Sequence, residues 1–320
     1  MNKVNIVNSD SYLIIKHGAL GDLIQGLDAF ESLRRSFPSA NLTLLTSPAF
    51  APLVKLMPYF DGIIIDERRP FYNLNKTREI REHFHHNWSA VIDLQCSKRT
   101  SAYFKWFYKS TGGKWFGTAK GCSHPMPNFT NLNNKDRMLE AVKMAGAKGF
   151  KANLSWLADN LTTSNLPFEL AVPYCVIVPG SSPNKPSKRW SPEGYAELSS
   201  RIQKLGMTPY LVGTKSENAV IEEICTLSHA AESLVNKTNL GQLAQLCANA
   251  QFVIGNDTGP TFLAAKTGVA TLMLMGEDTN PKMSSPTGTL VGYLYKADIQ
   301  SITVEEVINK MQELRGGLTP

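Results

Sequence analysis

The chain has 320 residues, 42% of them hydrophobic and 19% charged, with a net charge of +6. That length exceeds one ordinary hydrophobic core and points to two domains. The N-terminal MNKVNIVNSD lacks an apolar core of signal-peptide length. The longest apolar runs, such as Val269 to Met275, fall far short of the ~20 residues that a membrane helix needs. Five cysteines (Cys96, Cys122, Cys175, Cys225 and Cys247) form no C-x-x-C pair, so a reduced, cytoplasmic protein is expected. The excess of cations favours anionic partners: phosphates, nucleic acid or the inner face of a membrane. Spread along the chain as they are, these cations equally suit a mildly basic soluble enzyme.

In chain order, Tyr12 to Lys16 reads as a strand and Asp22 to Arg35 as an amphipathic helix ended by Phe37-Pro38. Leu42 to Thr46 follows as strand, Ala51 to Met57 as helix and Ile63 to Asp66 as strand. A polar helix over Leu74 to His86 leads to strand Ala90 to Leu94 and helix Arg99 to Tyr108. Lys114 to Phe116 reads as strand and Asp136 to Ala145 as helix. This is the β-α-β rhythm of a parallel sheet covered on both faces.

The rhythm breaks at Leu161 to Pro173, which is polar, proline-containing and aperiodic, as a linker would be. It restarts with strand Tyr174 to Val178, helix Pro192 to Leu205, strand Pro209 to Val212 and helix Glu217 to Leu227. Helix Leu240 to Ala250, strand Phe252 to Gly255, helix Thr261 to Thr267 and strand Ala270 to Met275 follow, and helix Val304 to Arg315 closes the chain. The expected fold is α/β, with two Rossmann-like domains facing one another across a cleft. Their expected bounds are 1–165 and 166–320, with the last helix free to pack back on the first domain.

Several motifs are missing. No G-x-G, G-K-[ST] or G-x-S-x-G occurs, which sets aside the dinucleotide fingerprint, the Walker loop and the hydrolase elbow. No two aspartates stand at i, i+2, so the D-x-D metal clamp of many sugar-nucleotide enzymes is absent. His83, His85 and His86 cluster at a helix end with no matching carboxylate or cysteine set, which suits a solvated face.

The most informative stretch runs from Phe252 to Pro260. An apolar strand ends at Asp257, Thr258 and Gly259, and a helix follows at once. A buried strand thus delivers polar groups and helix-start amides to the mouth of a sheet, where phosphates bind. Asp-Thr-Gly also marks aspartic proteases, but that chemistry needs two carboxylates sharing a proton, and one copy is present.

Three more strand-end loops carry chemistry. In Lys16 to Asp22, Gly18 and Gly21 permit a tight turn, and Asp22 falls near a helix start. Asp22 is either a capping carboxylate or a general base kept ionised by the helix N-terminus. In Pro179 to Trp190, Ser181, Ser182, Lys185, Lys188 and Arg189 offer hydroxyls and cations that neutralise a diphosphate leaving group without a metal. A solvated basic loop is the plainer reading. In Gly213 to Glu217, Glu217 either accepts from ribose hydroxyls or caps a helix.

Taken together, GALGD, then PG…KRW-P-E-x-Y-x-x-L, then G-x-x-x-E, then N-L-x-Q-L-x-x-L, then GNDTGP-x-x-L-A-A resemble glycosyltransferase family nine, the bacterial ADP-heptose:lipopolysaccharide heptosyltransferases and their relatives. The resemblance runs from about Tyr12 to Gly276 with its motifs in order. It implies a GT-B fold with an N-terminal acceptor domain and a C-terminal nucleotide-sugar domain, and inverting, metal-independent transfer of a heptose-type sugar from an ADP-sugar. It assigns the general base to Asp22 and the phosphate-binding lysine to Lys188, with Ser181 or Ser182 as the nearby hydroxyl. Glu217 becomes the nucleoside ligand, and Asp257, Thr258, Gly259 and Pro260 hold the donor sugar and phosphates. Arg189 joins them in the cationic loop. Gly18, Gly21, Lys98 and Arg99 are candidates on the acceptor side. The implied partners are a nucleotide-sugar and a lipid-linked anionic saccharide, with peripheral contact at the inner membrane face and no nucleic acid or cofactor.

Two positions depart from the family pattern: Phe262 stands where a histidine is common, and Asp28 where a proline is common. The loop Ser181 to Ser187 is also slightly long. A nucleotide-sugar epimerase and a catalytically silent nucleotide-sugar-binding protein are the competing readings.

Overall fold

The computed structural model describes residues 10–127, 131–157, 166–181 and 185–316. The part of the expected linker at 161–165 lies outside them, as does Ser182.

Among the described residues twelve strands form two parallel sheets. The first holds β1 (Ser11–Ile15), β2 (Asn41–Thr46), β3 (Gly62–Ile65), β4 (Ala90–Asp93), β5 (Trp115–Gly117) and β6 (His124–Pro125), in the order β3-β2-β1-β4-β5-β6. The second holds β7 (Tyr174–Val178), β8 (Thr208–Leu211), β9 (Glu232–Ser233), β10 (Phe252–Asn256), β11 (Thr271–Met275) and β12 (Val291–Tyr295), in the order β12-β11-β10-β7-β8-β9. Counted from its own first strand, each sheet has the Rossmann order 3-2-1-4-5-6. The α/β class and the pair of Rossmann-like halves expected from the sequence are thus observed.

β7, β10 and β11 are buried along their whole length, which is why they read as mostly apolar runs rather than alternating ones. Cys175, Ile177, Phe252, Ile254, Leu272 and Leu274 build the core of the second sheet together with Tyr195, Leu198 and Ile202 of the helix Pro192–Lys204. The last helix, Val304–Leu314, packs on β11, β12 and Pro192–Lys204. In the first sheet Leu13, Ile15, Leu45 and Val91 meet Phe84, Tyr103, Phe107 and Trp115.

The chain divides into two compact units. One comprises Met1–Ala19 with Gly26–Asn153, the other Leu20–Gln25 with Leu154–Pro320. The first expected helix is therefore two. Leu20–Gln25 stops at Gly26, a poor helix former, and Leu27–Ser36 resumes beyond it. The expected helix over Arg99 to Tyr108 also changes character: Lys98–Tyr103 is α-helical and Phe104–Tyr108 forms a wider π-helical turn.

Candidate functional site

In the second unit β7 and β10 are neighbours, and β8 lies beyond β7 while β11 lies beyond β10. The chain order reverses between β7 and β10, which makes their C-terminal ends the switch point where ligands usually bind in such a sheet. The loops following both strands carry predicted site residues.

Asn256, the last residue of β10, is fully buried and ties these loops together. Its Nδ2 donates to the carbonyls of Pro179, at 2.8 Å, and Gly180, at 3.3 Å. Its Oδ1 accepts from the Trp190 amide at 3.1 Å and the Tyr195 hydroxyl at 2.9 Å. Both ends of the cationic loop therefore hang on one side chain.

Next in the chain, Asp257 is buried and accepts from the Lys188 ammonium. The same oxygen, Oδ2, accepts from Thr279 Oγ1 at 2.6 Å. Thr279 follows β11, so a further strand-end loop reaches the site, and Asp278 beside it accepts from Ser187 Oγ. Buried Ser181 donates to the Lys185 carbonyl at 2.9 Å and accepts from Arg189 Nε at 3.1 Å. Gln300 Nε2 in turn donates to the Arg189 carbonyl at 2.8 Å.

Glu217 lies against the first of these loops, since a Cβ on Gly180 would stand 2.6 Å from Glu217 Cγ. It also caps its own turn, accepting from the Thr214 amide at 2.8 Å, Thr214 Oγ1 at 2.7 Å and Ser216 Oγ at 2.6 Å. Partial burial pushes its carboxyl up, but these hydrogen bonds, with the Arg189 charge, outweigh burial and hold it below the usual range. The capping role and a place beside the loop after β7 are both present in one residue.

Thr258 is the N-cap of the helix Gly259–Lys266, and its hydroxyl makes no capping bond. Its carbonyl accepts from the Thr261 amide at 3.1 Å and the Phe262 amide at 3.2 Å. Pro260 has no N–H to offer in this first turn.

Asp22 sits in the first turn of Leu20–Gln25 and is part-exposed. This short helix packs on Gly259–Lys266 at a glycine-to-glycine approach. A Cβ on Gly259 would lie 2.6 Å from Leu20 Cβ, and one on Gly21 2.8 Å from Phe262 Cδ2. Phe262 is buried over Gly21, so the ring standing where the family pattern has histidine serves packing. Asp22 and the loops around Asp257 thus belong to one compact unit despite their separation in sequence.

The other acceptor-side candidates lie in the first unit. Gly18, with φ +123°, is buried against the Phe50 ring. Lys98 is exposed at a helix start. Arg99 donates to the Arg69 carbonyl at 2.8 Å, reaches Asp66 at 3.5 Å and donates to the Tyr103 hydroxyl. Asp66 itself is buried, receives the Tyr103 hydroxyl and meets His17 Nε2 at 2.7 Å. Burial alone would raise the Asp66 carboxyl; the bonds to His17 and Tyr103, the His17 charge and the Arg68 amide outweigh it and bring it to about 2. Asp93, at the end of β4, is pushed up instead, because burial outweighs the amides of Cys96 and Gln95.

Sequence reasoning passed over Asn256, Thr279 and Asp66. An amide side chain closing a buried strand is a signal for the first. Nothing local marks the other two, whose partners lie 22 to 49 residues away. His83, His85 and His86 are exposed, and among the described residues no three His, Cys, Asp or Glu side chains gather as metal ligands do.

Known structures with this fold define the class. A family 9 glycosyl transferase from Veillonella parvula superposes with TM-score 0.78 at 17% identity, covering 95% of this chain and 97% of that one. Escherichia coli heptosyltransferase WaaC with ADP gives TM-score 0.78 at 21% identity, over 95% and 99% of the two chains. The fold is that of the GT-B glycosyltransferases. Residues 134–309, more than half of the chain, match glycosyltransferase family 9 (heptosyltransferase). The chain belongs to that family and is a glycosyltransferase. Among curated relatives, lipopolysaccharide core heptosyltransferase OpsX of Haemophilus influenzae is 22% identical over 294 residues, 88% of this chain and 82% of OpsX. Lipooligosaccharide heptosyltransferase 2 of the same organism is 24% identical over 301 residues, 86% of this chain and 85% of that protein.

Proposed function

We propose that this enzyme moves a heptose-type sugar from an ADP-sugar to a hydroxyl of the lipopolysaccharide inner core, with inversion and without a metal. The carrying observation is the convergence in one unit of the loops after β7, β8, β10 and β11 with the helix bearing Asp22. The heptosyltransferase relatives named above and the ADP-bound WaaC fold support the choice of donor and acceptor.

In this reading residues 166–320 hold the donor and residues 1–165 the acceptor. The acceptor oxygen bonds to the anomeric carbon as the bond from that carbon to the β-phosphate oxygen breaks. Asp22 takes the acceptor proton, and ADP leaves with the bonding electron pair. Charge builds on the leaving oxygen, where Lys188 and Arg189 stabilise it more in the transition state than in the ground state. These two cations take the place of a metal clamp. The more highly charged diphosphate draws Lys188 from Asp257, whose carboxylate keeps the Thr279 hydroxyl and turns to the sugar. Ser181 and Ser182 offer hydroxyls to the phosphates, Thr258, Gly259 and Pro260 line the sugar, and Glu217 takes the ribose. Gly18, Gly21, Lys98 and Arg99 stand on the acceptor side, Gly18 and Gly21 through backbone placement.

The protein works in the cytoplasm at the inner membrane face. Among the described residues no helix is long and apolar enough to cross a membrane. Buried Phe262 favours a second reading, transfer from another nucleotide-sugar, because it removes a polar contact from the donor pocket. A donor panel tests both. ADP-heptose should raise the melting temperature more than UDP-linked sugars and yield ADP only when acceptor is present. Stabilisation by a UDP-sugar alone would select the second reading, and donor binding with no acceptor-dependent ADP release would refute transfer.

A further inference from the structure

We propose that the face of the first unit around Phe71 is a docking surface for an anionic lipid membrane. Four apolar side chains stand out from it: Tyr72 is 85% exposed, Leu74 76%, Trp106 52% and Ile65 41%. The Phe71 ring meets Trp106 edge-on at 4.7 Å, and the Arg99 guanidinium lies over the Phe71 ring at 4.8 Å from its centroid. The π-helical turn Phe104–Tyr108 buries Phe104, Phe107 and Tyr108 while leaving Trp106 and Lys105 outside. Folding thus sinks three aromatic side chains of this turn and presents the fourth to solvent.

Cations surround these side chains. Arg68, Arg69, Lys98 and Lys105 are all exposed. Arg69 is engaged by Glu67 at 2.9 Å, whereas among the described residues no ion pair is found for Arg68, Lys98 or Lys105. Tryptophan and tyrosine partition to the level of lipid headgroups, an inserted leucine adds apolar transfer, and unpaired lysine and arginine meet anionic headgroups. Apolar insertion and attraction to anionic headgroups add to one another.

The adjoining cavity, about 210 Å³ in volume, does not account for this patch. Arg69, Lys76 and Arg99 on its walls are balanced by Asp66, Glu67 and Glu79, so it has no surplus charge for a soluble anion. Arg68, Lys98 and Lys105 lie outside it, as do Tyr72, Leu74 and Trp106, whereas Ile65 shares its wall. A protein partner would be met by an apolar groove or a flat buried-type patch, whereas here single side chains project among cations. The proposal deepens the transferase reading and rests on it for the lipid-linked acceptor that a docked enzyme would meet.

Co-sedimentation of the full chain with vesicles tests it. Phosphatidylglycerol-containing vesicles should bind the protein and pure phosphatidylcholine vesicles should not, with binding lost at high salt. Arg68→Gln with Lys105→Gln should weaken binding about 25-fold, at about fivefold per cation. The triple change Tyr72→Ser, Leu74→Ser and Trp106→Ser should abolish binding. Both variants should keep wild-type turnover on a water-soluble, lipid-free acceptor. Vesicle binding unchanged in both variants would overturn the proposal, as would a wild-type protein that ignores vesicles. A dimer that the triple change converts to monomer, without vesicle binding, would also overturn it and assign the face to a second copy. Vesicle binding as expected with no turnover on any acceptor would leave the docking surface standing and overturn the transferase reading instead.

Discussion

Replacing Asn256 by alanine should loosen the donor site and destabilise the second unit together. The side chain makes four hydrogen bonds, two as donor and two as acceptor, and every partner lies in the loop after β7 or the helix behind it. Trp190 and Tyr195 are themselves buried, so water cannot readily replace what is lost. Each stranded buried group costs about 1–3 kcal/mol. With the Trp190 amide, the Tyr195 hydroxyl and at least the Pro179 carbonyl stranded, the loss after relaxation is about 3–5 kcal/mol. Asn256→Asp keeps an acceptor for Trp190 and Tyr195 but turns a carboxylate toward two carbonyls, so its penalty should shrink as the pH is lowered and the new carboxyl protonates. Urea unfolding followed by tryptophan fluorescence gives the midpoint shift, and calorimetry gives ADP affinity, which should fall by at least about tenfold, or ~1.4 kcal/mol. A loss under ~1 kcal/mol with unchanged ADP affinity would refute the claim that Asn256 holds the loops.

Three other outcomes follow from the same geometry. The Asp66 carboxyl sits at about 2 when folded, below its ordinary unfolded value of ~3.9. It therefore contributes about 2–3 kcal/mol that is complete above pH ~5 and lost as the pH falls toward ~2. Asp66→Asn should flatten that part of the stability–pH curve, and an unaltered slope would count against the His17–Asp66–Tyr103 cluster. Gly259→Ala forces a Cβ to 2.6 Å from Leu20 Cβ and should destabilise by about 1–3 kcal/mol, read by thermal melting; a neutral effect would mean that the two helices separate without cost. Thr279→Val leaves Asp257 to Lys188 alone, so donor KM should rise several-fold with kcat less affected, and Thr279→Ser should restore it. Equal losses in kcat and kcat/KM for Thr279→Val would place Thr279 in the transition state instead.

Much of the fold could be read from residues because buried parallel strands carry their burial in their own letters. YCVIV is apolar from end to end and TLMLM from its second residue, and both are strands buried throughout. β6 and β9, with two residues each, are too short to show a pattern. β12 (VGYLY) is half-exposed and broken by Gly292, so its run did not register. Lys188, Glu217 and Asp257 stand at strand ends where the motifs placed them, since β-α loops are local in sequence. What escaped was the set of bonds between loops. Thr279 reaches Asp257 across 22 residues and Asn256 reaches Pro179 across 77, and register between strands, rather than spacing along the chain, creates such pairs. The break at Gly26 was visible as a glycine, but its consequence, the grouping of Leu20–Gln25 with the second unit, comes from packing against Gly259.

The central claim divides the work between loops that hold the donor and a carboxylate that removes the acceptor proton. Single-turnover transfer from ADP-heptose, measured beside calorimetric binding of the same donor, tests it in the Asp22→Asn enzyme. The account predicts donor affinity within about twofold of wild type and a rate lower by ~10²–10⁴-fold, the range for loss of a general base. A variant that transfers sugar at the wild-type rate, or that fails to bind the donor at all, would contradict it.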